Sequence, residues 1–474
     1  MTTRRNTTSR GSSSPPKAAP RGRRDSVRAG ADAVRQTPVA LPLGTGVLIQ
    51  RIAAGTGDGV GKQPSGLTTF CDQGWPGDTV RGTIIESQKR WARITVTSVE
   101  PGIERQGGAC EHAGACGGCR FQGAPYELEM RWKVDAALDG IRRLSPSLVW
   151  PSPKRIVADS IDGWRERVRW KLDPNGYPAF TRPRSHDPVT IHRCQVLHPA
   201  LQKVLAQLRR HAPFAGRGWI FAEHSDGQVA ILAGGPAFES AENQDKLARL
   251  ASETCAVWIA PKSHASQDND DADFAPEPER GPRHLGGPAQ FARSVAGTAI
   301  PLPVGLFSQA HATQNERLRE LVLQGVGDSA ARVLELFAGF GNFSIPLANA
   351  GHSVLAVEGS GPAVRAGQAA TSEIAGLSWL VADLSEGLPG DAANAWARYD
   401  AVVVDPPRTG LPPAMATALC SPGPRTLIYV SCDPPTLGRD SERLTAGGWA
   451  VESLHLVDMF PRTHHLESVA VFRR

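Results

Sequence analysis

The chain has 474 residues, 41% hydrophobic and 21% charged, with a formal net charge of +5. That length suffices for two to four domains with cores of their own. No apolar run approaches the roughly eighteen residues of a membrane span, and no apolar core follows the basic start, so neither membrane insertion nor secretion is expected, and a cytoplasmic protein is.

Residues 1–42 are rich in Ser, Thr, Pro, Ala and Arg, and set Arg4, Arg5, Arg10, Lys17, Arg21, Arg23, Arg24, Arg28 and Arg35 against Asp25 and Asp32. A disordered basic arm is expected here, serving as a solubilising tail, an RNA contact or a targeting segment. Residues 43–103 alternate short β-branched runs (VLIQRI, TVRGTII, ARITVTSV) with the turns GTGDGVGK and GWPGD, the pattern of a small antiparallel barrel. Such barrels bind single strands or act as spacers.

Residues 104–300 read as a mixed α+β region. It carries a second concentration of arginine between Trp164 and Arg193, which fits a phosphate-rich partner or a solvated basic surface. Its insertion 263–283, acidic and proline-bearing, is expected to be a disordered loop. The segment GGACEHAGACGGCRF supplies Cys110, Cys116 and Cys119, with Cys194 in IHRCQVLHP as a distant fourth. C-x5-C-x2-C plus one cysteine is a metal-site spacing, and four thiolates suit either structural zinc or an iron–sulfur cluster.

Residues 301–474 change character. RVLELFAG, SVLAVEGS, LSWLVAD, YDAVVVDPP and TLIYVSC alternate with Ala/Leu-rich helical stretches, predicting a doubly wound parallel sheet. AVESLHLVDMF and ESVAVFRR suit an antiparallel edge hairpin. After the strand RVLEL, F-A-G-F-G-N-F places Gly339 and Gly341 in a tight turn that lets a ligand approach backbone. Ser344 stands where a dinucleotide fingerprint has its third glycine. Glu358, Asp383 and Asp405 end the next three strands, placed to bind a nucleoside at the carboxyl edge of the sheet, or simply to cap the helices that follow. Cys432 closes the strand YVSC before a Pro-Pro turn, as an emergent thiol or a buried structural one. Glu467 opens the last strand, after a loop with His464 and His465.

Taken together and in order, LFAGFGNFS, VDPPRTG, YVSCDPPTLGRD and DMFPRTHHLES resemble the RNA uridine-5-methyltransferase family, a class I S-adenosylmethionine-dependent fold. GDGVGK and the PGD before TVRGTI resemble a TRAM domain, an OB-like barrel, which with the cysteine segment points to the cluster-bearing 23S rRNA branch. The resemblance implies Cys432 as nucleophile and Glu467 as base. It implies Gln309, Phe337, Asn342, Glu358, Asp383 and Asp405 as cofactor or active-site positions beside the Gly339/Gly341 turn. It also implies S-adenosylmethionine as cofactor, a [4Fe-4S] cluster on the four cysteines, and RNA as substrate, 23S rRNA ahead of tRNA. A monomer is favoured.

Two departures bear on substrate fit: Ala310 and His311 replace an asparagine-containing run after Gln309, and Arg462 stands where a histidine is expected. The rivals are an NAD-dependent oxidoreductase on the same sheet, disfavoured by Ser344 and the Cys432/Glu467 pair, and a degenerate methyltransferase that only binds RNA.

Overall fold

The computed structural model describes residues 39–40, 46–107, 110–261 and 281–474. The basic arm, apart from Val39 and Ala40, lies outside the described residues, as does the insertion up to residue 280; Arg283, its expected end, opens a strand, Arg283–Gly286. Among the described residues no helix is long and apolar enough to cross a membrane.

The first body is a closed five-stranded barrel. Val47–Ile52 pairs with Gly59–Lys62, which pairs with Thr68–Cys71, then Trp91–Glu100, then Thr79–Ser87, and back to Val47–Ile52. All pairings are antiparallel except that of Thr68–Cys71 with Trp91–Glu100, which corrects a purely antiparallel reading. Alternate residues point inward, so Val47, Ile49, Cys71, Val80 and Ile94 fill the interior. Closure runs through Thr79 and Val80 of Thr79–Ser87, and farther along that strand the short Val39–Ala40 pairs antiparallel at Thr83 and Ile84 as a sixth strand.

The second body is a seven-stranded sheet in the order Pro188–Thr190, Pro178–Thr181, Arg167–Leu172, Trp219–Ser225, Gln228–Gly234, Cys255–Ile259, Arg283–Gly286. In the strand RVRWKL, Val168 and Trp170 enter the core with helix Pro199–His211. The alternate residue Arg169 lies over Trp219 on the other face.

The third body is an eight-stranded sheet. Its order is Leu377–Val381, Ser353–Glu358, Arg332–Leu336, Ala401–Val404, Thr426–Ser431, Glu467–Arg473, Ala450–Val457, Lys154–Ile156. The first five strands are mutually parallel. Leu334, Leu336, Val402, Val404, Leu427 and Tyr429 face one core, with helices Pro413–Leu419 and Pro434–Leu444. Val333, Val403, Ile428 and Val430 face the other, with helix Ala312–Val326. This period-two division is the signature of a sheet covered on both sides. The final pair is antiparallel, as expected, but Glu467–Arg473 inserts between Thr426–Ser431 and Ala450–Val457, and Lys154–Ile156 adds outside them, so the hairpin is interior.

Residues 104–300 therefore do not pack as one body. Besides that added strand, helix Tyr126–Leu144 turns Met130, Val134, Ala137 and Ile141 into the third body's core, and Trp132 and Ala136 toward Ile52 and Trp75 of the barrel. Its crossing with Pro434–Leu444 is close because Gly438 lacks a Cβ, which would lie 2.5 Å from the carbonyl oxygen of Ile141.

Candidate active site

The turn after Arg332–Leu336 is built from left-handed residues: Phe337 at φ 63°, Gly339 at 58° and Gly341 at 105°. Glycine adopts this region freely, whereas Phe337 is held there against its preference. Glu358 stabilises the turn, one carboxylate oxygen accepting from the Gly339 N–H at 3.0 Å and the other from the Ser360 N–H at 2.7 Å. Asn342 is hydrogen-bonded to helix Ala312–Val326. Its amide exchanges hydrogen bonds with Asn315 at 2.9 and 3.0 Å and accepts from Arg319, bracing the turn against helix Ala312–Val326.

Gln309 is buried just ahead of that helix. His311, one of the departures, caps it by accepting from the Gln314 N–H and stacks on Trp164 at 5.5 Å. Asp383 is exposed and caps the short helix Leu384–Glu386 through the Ser385 N–H at 2.9 Å.

Register brings the two proposed catalytic residues together. Thr426–Ser431 and Glu467–Arg473 are antiparallel neighbours whose last pair is Ser431 with Ser468, so the next position sets Cys432 opposite Glu467. Burial, then Glu467 and Asp405, push the Cys432 thiol well up, while burial and Asp405 push the Glu467 carboxyl well up. Arg408 opposes both shifts. The acidic wall extends further. Burial and Glu358 raise Asp405 to about 7, and burial raises Glu335 to about 8, with Asp405 and Glu358 adding to it. Glu335 is fully buried, one oxygen accepting from the Ser344 hydroxyl and the other without a partner.

Sequence reasoning missed Glu335 and Arg408 as site residues. Each had a signal, an acid inside an apolar strand four residues before Gly339 and a cation completing DPPR. Helix Pro434–Leu444 begins beside the thiol, capped by Asp433, whose carboxylate accepts from the Thr436 N–H at 2.8 Å. Asp440 of that helix is buried and accepts from the Leu411 N–H at 2.7 Å and the Tyr429 hydroxyl at 2.8 Å, fixing the DPPR turn against the cysteine strand.

The four expected metal ligands Cys110, Cys116, Cys119 and Cys194 line one cavity with Gln122, Arg165 and Phe180. Burial raises Cys119 to about 12, with Cys194 and Cys116 adding to it, and raises Cys194 to about 11, with Cys116 and Cys110 adding to it; Arg165 opposes both. Among the described residues no group of three or more His, Cys, Asp or Glu side chains forms a ready ligand set for one metal ion. A basic groove adjoins this loop, lined by Arg165, Arg169, Lys171, Arg182 and Arg184.

Residues 302–379 and 393–474 match the family described as tRNA (Uracil-5-)-methyltransferase. A 23S rRNA (uracil(1939)-C(5))-methyltransferase RlmD of Halomonas elongata is 31% identical over 452 residues, covering 87% of this chain and 86% of that protein. The protein of that name from Cronobacter sakazakii is 29% identical, over 88% and 94%. The crystal structure of Pyrococcus abyssi tRNA (uracil-54, C5)-methyltransferase in complex with S-adenosyl-L-homocysteine superposes with a TM-score of 0.64 at 18% identity, over 90% of this chain and 100% of that one. That likeness is one of fold.

Proposed function

Since this chain belongs to the RNA uracil-5-methyltransferase family, we propose that it methylates C5 of a uracil in 23S rRNA through a covalent Cys432 adduct. The observation that carries this mechanism is the register that sets Cys432 opposite Glu467, at the same edge of the sheet as the glycine turn.

Uracil C5 is a weak nucleophile. The Cys432 thiolate adds to C6, forming an S–C6 bond and pushing the electron pair onto the C5–C4–O4 system, so that C5 can attack an electrophilic methyl group. S-adenosylmethionine supplies that methyl as a sulfonium. Glu467 then takes the proton from C5, the electron pair re-forms the C5–C6 double bond, and the S–C6 bond breaks to release the thiolate. Arg408 favours the ionised forms of both residues. The acidic wall of Glu335, Glu358 and Asp405 suits a cationic sulfonium and repels a diphosphate, which argues against a dinucleotide cofactor.

The cavity lined by Cys110, Cys116, Cys119 and Cys194 fits a cation: four thiols gathered in one partly dry space repel one another as thiolates unless a metal compensates them. With the resemblance to the cluster-bearing branch, this supports a [4Fe-4S] cluster held by these cysteines. The same thiolates suit zinc, and metal analysis of anaerobically purified protein separates the two. Methyl transfer has no redox step, so the group's part is structural or RNA-positioning. The barrel, read as a TRAM domain, and the basic groove are the proposed RNA contacts, consistent with a cytoplasmic enzyme.

The test is mass mapping of 5-methyluridine in 23S rRNA and tRNA from cells with and without the gene. Loss from 23S rRNA supports the assignment, whereas loss confined to tRNA moves the substrate and keeps the chemistry.

A further inference from the structure

The strand ladder that aligns Glu467 stops at Glu467 itself: its pairings are Val457 with Glu467 on one side and Ser431 with Ser468 on the other. Beyond it, residues 458–466 form a loop whose anchoring decides whether that last pair keeps its place. Three sets of bonds hold the loop. At its start the buried Asp458 accepts from Lys133 Nζ at 2.6 Å and from the Tyr126 hydroxyl at 2.8 Å. At its end the His464 ring meets the Gly55 carbonyl of the barrel at 3.1 Å.

Between them stands Arg462, buried, with φ at 70°. Its N–H donates to Glu129 Oε1 at 2.7 Å, and its carbonyl accepts from the N–H groups of Arg120 and Phe121 at 2.7 and 2.9 Å. Its guanidinium donates to the Ala124 carbonyl at 2.7 Å and to Glu129 Oε2 at 3.3 Å. Backbone and side chain alike are engaged by a segment more than 300 positions upstream, and that segment follows directly on Cys119.

We propose that Arg462 is a positioning residue for the base. It locks the loop that delivers Glu467 to helix Tyr126–Leu144 and to the end of the four-cysteine segment. Arginine suits this place because its long side chain carries one permanently charged nitrogen, Nη1, to the Ala124 carbonyl and the Glu129 carboxylate together. The inference rests on the reading of Glu467 as base and adds to it a dependence of the elimination step on this anchor. A base displaced by about 1 Å loses much of its rate while the earlier steps, which use Cys432 on its own strand, continue.

The experiment uses full-length, anaerobically purified protein in a single turnover with 23S rRNA. It measures methyl groups transferred and the fraction of enzyme in a denaturation-resistant RNA adduct, for wild type, Glu467→Gln, Arg462→Gln and Arg462→Lys. Arg462→Gln is expected to transfer methyl and to accumulate about tenfold more adduct than wild type, with Arg462→Lys intermediate. Adduct at the wild-type level in Arg462→Gln, or transfer and adduct falling together, overturns the proposal, because a purely structural role lowers both. Should Arg462→Gln lack a cooperative melt, Arg462→Lys decides: excess adduct supports the anchor and a wild-type level overturns it. Absence of adduct in Glu467→Gln refutes the base assignment, and this inference with it; adduct in Glu467→Gln alone refutes only the role of Arg462.

Discussion

At the scale of single residues, the proposed chemistry rests on ionisable groups forced together. Cys432, Glu467, Asp405, Glu358 and Glu335 all converge on one sheet edge, and burial holds protons on several of them in the ligand-free protein. A cationic cofactor favours their ionised forms, so its binding expels protons. With Asp405 near 7 and Glu335 near 8, affinity for S-adenosylmethionine should rise from about pH 6 to about pH 8, by up to tenfold per pH unit for each proton released. Calorimetry checks this, and Glu335→Gln should flatten the profile; pH-independent affinity would remove the acidic wall from the cofactor site. The same shifts oppose folding at higher pH. Because the folded state holds protons that the unfolded chain has released above the ordinary carboxyl range, the ligand-free protein should melt lower at about pH 8 than at about pH 5. Cys432→Ala should abolish methylation and leave cofactor affinity within a few fold, since the thiol and the glycine turn are separate groups. A comparable loss of both would make Cys432 structural.

At the scale of elements, helix Tyr126–Leu144 is the hub. One face completes the catalytic domain's core and another meets the barrel, while Lys133, completely buried, joins Glu129 and Asp458. Removing one partner from a buried charge network leaves the others uncompensated, so Lys133→Met should destabilise the protein by about 3–5 kcal/mol. Denaturant unfolding measures it, and a change below about 1 kcal/mol would mean water already reaches these groups. At the cavity lined by the four cysteines, serine at Cys110, Cys116, Cys119 or Cys194 should remove bound iron and the broad visible absorption of a cluster. Stoichiometric zinc in the unsubstituted protein would keep the ligands and change the metal.

At the scale of the molecule, the barrel is not a detachable module. It shares Ile52 and Trp75 with a small core containing Phe121 and Trp132, and Gly55 touches the catalytic loop. Removing residues 1–103 would expose that core and free His464, so the clean test of RNA binding by the arm is deletion of residues 1–38. Its basic residues predict that the truncated protein binds 23S rRNA more weakly and with a shallower salt dependence, by about one unit of slope for each phosphate that is no longer neutralised. An unchanged slope would make the arm a bystander. The sequence by itself determined the catalytic sheet's strands except Lys154–Ile156, its glycine turn, the acids at its strand ends and the thiol, because these are local: period-two apolar runs bounded by turn residues, with functional groups where the runs stop. It also marked Cys110, Cys116 and Cys119 through spacing within one loop, with Cys194 as a distant fourth. What only tertiary structure decided is long-range. Cys432 and Glu467 face each other because the last strand inserts beside Thr426–Ser431. Likewise, Arg462, an odd residue in its motif, became legible only when helix Tyr126–Leu144 and the cysteine segment folded onto it, since pairing register and buried charge partners depend on which distant segments share a core and leave no periodic trace in the chain.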